Sequence, residues 1–158
     1  MLFRSSKIQK ASKIGLINRL TANMHGTEDS LQLGWNLKLN SSAWLTSLDP
    51  KLSHVSNCFE KNALIILAAC LTGSITPDGL AIQLSKIWKN TFVIAAREKV
   101  YKTKYFDKPP FGKVPIFYST KGAEGTIFRN GHPKYRYSLN DKKIVFKREK
   151  GLIPKKSN

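Results

Sequence analysis

Acidic residues are scarce in this 158-residue chain: ten Asp and Glu stand against 27 Lys and Arg, and none falls within the first 27 residues. Cysteine is scarcer still. Two thiols, Cys58 and Cys70, cannot build a disulfide framework, and Cys70 lies in the most apolar stretch, where a free thiol behaves as a small core residue. No apolar run is long. The longest, Ala63 to Leu71, spans nine residues, against the roughly 20 that a helix needs to cross a bilayer. The N-terminus lacks the apolar core of a secretory signal, so the sequon Asn40-Ser41-Ser42 reads as a chance match.

Catalytic groups are equally sparse. The three histidines, His25, His54 and His132, and the scattered carboxylates form no acid–base or nucleophilic constellation. The glycines at 122 and 125 lack the following lysine and helix of a phosphate-binding loop. A zinc site from His54, Cys58, Cys70 and His132 would need paired-ligand spacing that these positions do not have; His54 and Cys58, four apart, read instead as neighbours on one helix face. The chain is therefore expected to be no enzyme, with no catalytic residue, no cofactor, no metal and no small-molecule substrate.

What the chain does have is positive charge, placed unevenly. The net charge is +17. Residues 1–27 carry five basic groups and no acid, residues 97–158 carry 17 basic against five acidic, and residues 28–96 carry five of each. An excess confined to the two ends points to an anionic partner rather than to solubility. The expected organisation is a basic flexible or amphipathic arm over 1–27, one domain over 28–148, and a basic tail over 149–158. The arm has Ile8, Ala11, Ile14 and Ile17 at helical spacing. Being basic, acid-free and Ser-containing, it also fits a mitochondrial presequence removed near Gly26.

From Leu31 the pattern alternates, with Leu31, Leu33, Trp35, Leu37 and Leu39 on one face, which reads as a half-buried strand. The run NALIILAACL, stopped by Thr72-Gly73-Ser74, reads as a central core helix. A second, amphipathic helix is expected from Thr76-Pro77-Asp78, with Thr as the cap and Leu80, Leu84, Ile87 and Trp88 on one face. Past Asn90, short runs of Val, Ile, Tyr and Phe between Pro109-Pro110, Gly122, Gly125, Asn130-Gly131 and Asn140-Asp141 suggest antiparallel hairpins. The fold class expected is α+β: an antiparallel sheet with about two core helices on one face, preceded by the basic arm.

The candidate contacts to an anionic surface or nucleic acid follow the charge. In the arm they are Arg4, Lys7, Lys10, Lys13 and Arg19. In the C-terminal half they are Lys99, Lys102 and Lys104, interleaved with Tyr101, Tyr105 and Phe106, then Arg129, Lys134 and Arg136, interleaved with Tyr135 and Tyr137. Toward the tail they are Lys142, Lys143, Lys147 and Arg148, running on to Lys155-Lys156. Strands of this kind offer phosphate contacts beside stacking rings. The alternative is that Tyr and Phe are common in any strand and the lysines merely occupy its wet face.

Three functional readings compete. In the first, the segments Ala63–Leu71 and Thr76–Trp88 make a helix-turn-helix followed by basic wings; against it, the second helix offers few residues able to read bases at its start. In the second, a mitochondrial ribosomal protein accounts for the charge and the presequence-like arm together. The third is a resemblance. The order of a basic arm, the strand LGWNLKLNSSAWLTSL, a helix ending in ALIILAACLTGSI and a sheet resembles that of rhabdovirus matrix proteins of the plant type. FVIAAREKVYKTKYFDKPPF is similar to a matrix strand that passes through an acidic residue to a basic-apolar-Tyr step and a Pro-Pro turn, with Glu98, Lys99, Val100, Tyr101, Pro109 and Pro110 in those places. The likeness covers residues 31–128 with gaps. It implies a self-associating virion protein that condenses the nucleocapsid and ties it to the inner face of an anionic membrane. Its place would be the virion and the host cytoplasm or membrane periphery, against the mitochondrial matrix for the second reading. Pro109-Pro110 is followed by Phe111-Gly112, so no Pro-Pro-x-Tyr budding motif accompanies the likeness.

Overall fold

The computed structural model describes residues 5–13, 15–36, 41–46 and 49–149. In chain order the elements are α1 (Ser5–Ser12), β1 (Ile17–Asn23), β2 (Ser30–Asn36), β3 (Ser41–Thr46), a 3-10 helix (Pro50–Cys58), β4 (Phe59–Ala68) and α2 (Leu80–Ile87). Then come β5 (Phe92–Ala95), β6 (Lys102–Asp107), β7 (Lys113–Ser119), β8 (Gly122–Arg129), β9 (His132–Asn140) and β10 (Lys143–Arg148). β2 and β3 form a separate hairpin; the other eight strands form one curled, mixed sheet. The alternating segment thus becomes β2 as far as Asn36, while Leu37 and Leu39 lie outside the described residues.

The expected α+β class is overturned: among the described residues strand dominates, at 50% against 17% for helix, the latter in three short pieces. The sheet is not antiparallel throughout, because β1, β4 and β5 run parallel in the order β1-β4-β5. The main error lies at NALIILAACL, which is β4 rather than a core helix. Residues 63–69 are all buried, with Ala63, Ile65 and Leu67 in one apolar layer and Leu64, Ile66 and Ala68 in the other. A strand covered on both faces has no polar beat, so its sequence looks the same as a buried helix. With that helix gone, the helix-turn-helix reading loses its first member.

α2 does exist, but begins at Leu80 rather than at Pro77. Its first turn needs no side-chain cap, because Leu80 N–H donates to the Glu28 carbonyl at 2.8 Å and Ala81 N–H to the Thr72 carbonyl at 3.1 Å. Thr76-Pro77-Asp78 is instead a turn closed by Gly79 N–H on the Thr76 carbonyl at 2.9 Å. His54 and Cys58 also part company. At three residues per turn, positions four apart point in different directions, and His54 is exposed while Cys58 is buried.

The segment read as a basic arm contributes structure at both its ends. Ile8 of α1 is buried in the layer that holds α2 and the 3-10 helix, and β1 pairs with β4 from Arg19↔Leu64 to Asn23↔Ala68. That layer closes around Trp88, fully buried, whose Nε1–H donates to the Leu52 carbonyl at 2.8 Å and whose ring lies 4.8 Å from that of Phe59. On the other side the sheet curls on itself. β8 pairs along one edge first with β7 and then with β5, and along its other edge with β9. The enclosed layer holds Ile66, Ile94, Val114, Ile116, Ile127 and Tyr137.

Tyr137 is the polar pin of this second layer. Its hydroxyl donates to the Pro115 carbonyl, and its ring lies so close to Gly125 that a Cβ there would overlap it. Burial, with the nearby Tyr105 as a lesser cause, pushes its pKa well above the ordinary 10.0. Below pH 10 the phenol is neutral folded and unfolded alike. Above it the unfolded chain releases a proton that the folded chain retains, so stability declines with rising pH. The expected result is that Tyr137→Phe costs about 1 kcal/mol at neutral pH, and that this difference shrinks and then reverses above pH 10. Urea melts of both proteins at neutral and alkaline pH would measure it; a constant difference would remove Tyr137 from the alkaline transition.

Candidate anionic-ligand interface

The register of the last hairpin sorts the basic and aromatic residues that interleave in the sequence. Lys147 stands opposite Arg136, Val145 opposite Ser138, and Lys143 opposite Asn140, so Arg136, Lys143 and Lys147 share one face, and Lys134 lies two residues before Arg136 where the β8–β9 register shifts. All four are exposed. Tyr137, Leu139, Ile144 and Phe146 occupy the opposite face and pack into the enclosed layer. The aromatics here are thus mainly core, and the cations are mainly surface. Tyr135 is the exception: 42% exposed, it meets Phe146 edge-on and stands opposite Arg148.

One carboxylate tempers the basic face. Glu124 of β8 accepts from both Nε and Nη2 of Arg136, so that guanidinium is partly neutralised. Lys134, Lys143 and Lys147 have no carboxylate partner among the described residues. Lys142 sits in the β9–β10 turn with φ of 65°. Arg4, the Lys7 side chain and the tail from Lys150 onward lie outside the described residues.

The other expected contacts are spread over separate elements. Lys10 and Lys13 are exposed on and just after α1. Lys102 and Lys104 share a face of the edge strand β6, with the Lys104 ammonium 6.0 Å from the centre of the Tyr118 ring. Lys99 is exposed in the loop before β6, near Tyr101, which is 71% exposed.

Two of the arginines are brought together by the curl, although they lie far apart in sequence. A cleft of about 600 Å³ opens where the ends of β1, β4, β5 and β8 meet the Pro109-Pro110 turn. Arg19 comes from β1 and Arg129 from β8; Asn18 and Asn62 line it beside Leu64, Phe92, Pro110 and Phe111. The Arg129 guanidinium lies 4.4 Å from the centre of the Phe92 ring and donates to Asn62 Oδ1 at 2.9 Å. Arg19 donates to the Lys113 carbonyl at 2.6 Å. Phe92 and Phe111 meet edge-on at 5.2 Å. Among the described residues no acidic side chain lines the cleft.

Asn62, Asn90, Phe92 and Phe111 do not figure among the sequence-derived contacts. The one local signal is the pair of asparagines: both adopt positive φ, and Asn62 N–H donates to the Asn90 carbonyl at 2.7 Å. A second hollow of about 500 Å³, between the 3-10 helix and the end of α2, mixes Glu60 with Lys61 and Lys89 and has no single sign of charge.

The zinc quartet is not assembled: among the described residues no three His, Cys, Asp or Glu side chains are grouped to share an ion. Cys70 instead meets the Val100 backbone, its Sγ accepting from the N–H at 3.3 Å. Among the described residues no helix is long and apolar enough to cross a membrane. No protein-family model, no curated protein and no solved structure matches this chain.

Proposed function

We propose that the protein is a non-enzymatic, matrix-like structural component that binds and condenses ribonucleoprotein and bridges it to an anionic membrane surface, self-associating as it does so. The observation that carries this reading is the outward face of β9 and β10. Four exposed cations stand on one hairpin, with a single carboxylate paired to them among the described residues. Such a face binds phosphate by electrostatics and reads no sequence, which suits coating a long anionic polymer. A second group of exposed cations, Lys10 and Lys13, is carried on and just after α1, which packs on the 3-10 helix in the N-terminal part of the chain. Two basic groups on different elements suit bridging between two anionic partners.

A ribosomal RNA-binding role would use the same hairpin face. The presequence that accompanies that reading fits less well, because cleavage near Gly26 would strip β1 from the sheet.

The test is co-flotation. Vesicles containing phosphatidylserine are expected to carry single-stranded RNA upward in a density gradient only when the protein is present. Both the vesicle and the RNA interactions are expected to weaken more than tenfold between about 50 and 200 mM salt. Binding to neither partner at low salt, or binding indifferent to salt, would overturn the reading.

A further inference from the structure

We propose that the cleft between Arg19 and Arg129 takes one unpaired nucleotide of single-stranded RNA, its base stacked on the Arg129–Phe92 layer beside Phe111 and its phosphate held by Arg19. This deepens the RNA half of the proposed function and rests on it.

The cleft differs in kind from the basic hairpin face. Lys134, Lys143 and Lys147 offer mobile point charges on an open strand surface, able to attract phosphate, and Tyr135 is the one exposed ring described on their hairpin. In the cleft the guanidinium of Arg129 is fixed twice, by the Phe92 ring beneath it and by Asn62 beside it. A guanidinium seated over a ring at 4.4 Å leaves its other side as a cationic surface on which a base can stack. Phe111 stands edge-on to Phe92 and adds a second aromatic wall.

The polar capacity left over suits an anion. Each guanidinium has five N–H donors, and the hydrogen bonds made by Arg19 and Arg129 occupy one nitrogen of each. Neither forms an ion pair among the described residues. Asn18 and Asn62 supply amide groups able to meet a base edge or a ribose hydroxyl. The volume of about 600 Å³ falls within the roughly 300–1,000 Å³ of sites that enclose one small organic ligand.

Aromatic, guanidinium and amide groups together fit a nucleotide better than a bare phosphate, which has no use for a ring. They also select against duplex RNA, whose bases are already stacked on one another and cannot enter.

Photo-cross-linking of the full chain tests this without any variant. A short single-stranded oligouridylate carrying 4-thiouridine is expected to attach to peptides containing Phe92 or Phe111. Two substitutions then separate ring from charge. Arg129→Gln is expected to lower affinity for the single-stranded oligouridylate about tenfold, several times more than it lowers affinity for duplex RNA or vesicles. Phe111→Leu is expected to abolish the preference for the oligouridylate over a ribose-phosphate oligomer of the same length without bases.

Cross-links confined to β9 and β10, or equal affinity for the base-free oligomer, would overturn the cleft proposal and leave the hairpin reading standing. Failure of the unaltered protein to bind any RNA at low salt would overturn both.

Discussion

Removal of residues 1–26 is expected to abolish the cooperative fold, rather than to detach a binding arm from an intact domain. β1 covers one edge of β4 through parallel pairing over Arg19 to Asn23. β4 is apolar on both faces and is protected on its other edge by β5. Without β1 it would become a hydrophobic edge strand, a template for aggregation. Ala22 and Ile8 would also leave the α2 layer, together with the partly buried Ile17 and Leu20. Each buried Ile or Leu side chain contributes about 1.5–3 kcal/mol and each ladder hydrogen bond about 0.5–1.5 kcal/mol. The sum is comparable with the roughly 5–15 kcal/mol that separates a folded domain from its unfolded chain. Far-UV circular dichroism on heating should therefore show no cooperative transition for the truncated protein, and gel filtration should show aggregates. A monomer melting within a few degrees of the full chain would overturn the structural role of β1.

The same observation changes how the charge of this segment must be tested. Loss of membrane or RNA binding on truncation would report unfolding as readily as lost cations. Lys10→Gln with Lys13→Gln removes two exposed charges while leaving Ile8 and β1 in place. Arg19 is best left alone in that variant, because its guanidinium ties β1 to the Lys113 carbonyl at the start of β7.

The C-terminal half was legible because its signals are local. Asn130-Gly131 adopts positive φ at both residues, at 51° and 79°, as a tight hairpin requires. The next turn is displaced by one residue from the expected Asn140-Asp141: Asp141 and Lys142 carry the positive φ and Asn140 ends β9. That single step fixes which cations of β10 face Arg136, since a shift of one residue reverses a strand's faces. In β4 the local signal is silent, and only the β-branched pair Ile65-Ile66 leaned toward strand. β1 was hidden for the opposite reason. Its residues, INRLTAN, are mostly exposed, with two partly buried and a single fully buried position and no strict alternation, so the helical spacing upstream dominated. Nothing local links the two arginines of the cleft, since Arg19 on β1 and Arg129 on β8 line it together only through the strand order β1-β4-β5-β8.

Neutralising Lys134, Arg136, Lys143 and Lys147 together as glutamines is expected to weaken RNA binding by roughly 100-fold at physiological salt, with the fold intact. The three lysines are exposed and unpaired among the described residues, and only Arg136→Gln touches a largely buried partner, Glu124, so about 1 kcal/mol of stability is at stake. The expected effect is smaller than four full charges would give, because Glu124 already shares the charge of Arg136. With about three effective phosphate contacts, the slope of log affinity against log salt for single-stranded RNA should become shallower by about 2. The slope is the more telling quantity: a cation that merely steers encounter changes rates, whereas one that displaces a counterion changes the slope. Glu124→Gln makes the complementary case. It frees Arg136 and should tighten binding and steepen the slope by less than one phosphate equivalent. Filter binding of both variants over a salt series measures the two effects. If the quadruple variant binds within threefold of the unaltered protein at the same slope, the grip lies elsewhere, in the Arg19–Arg129 cleft or on α1.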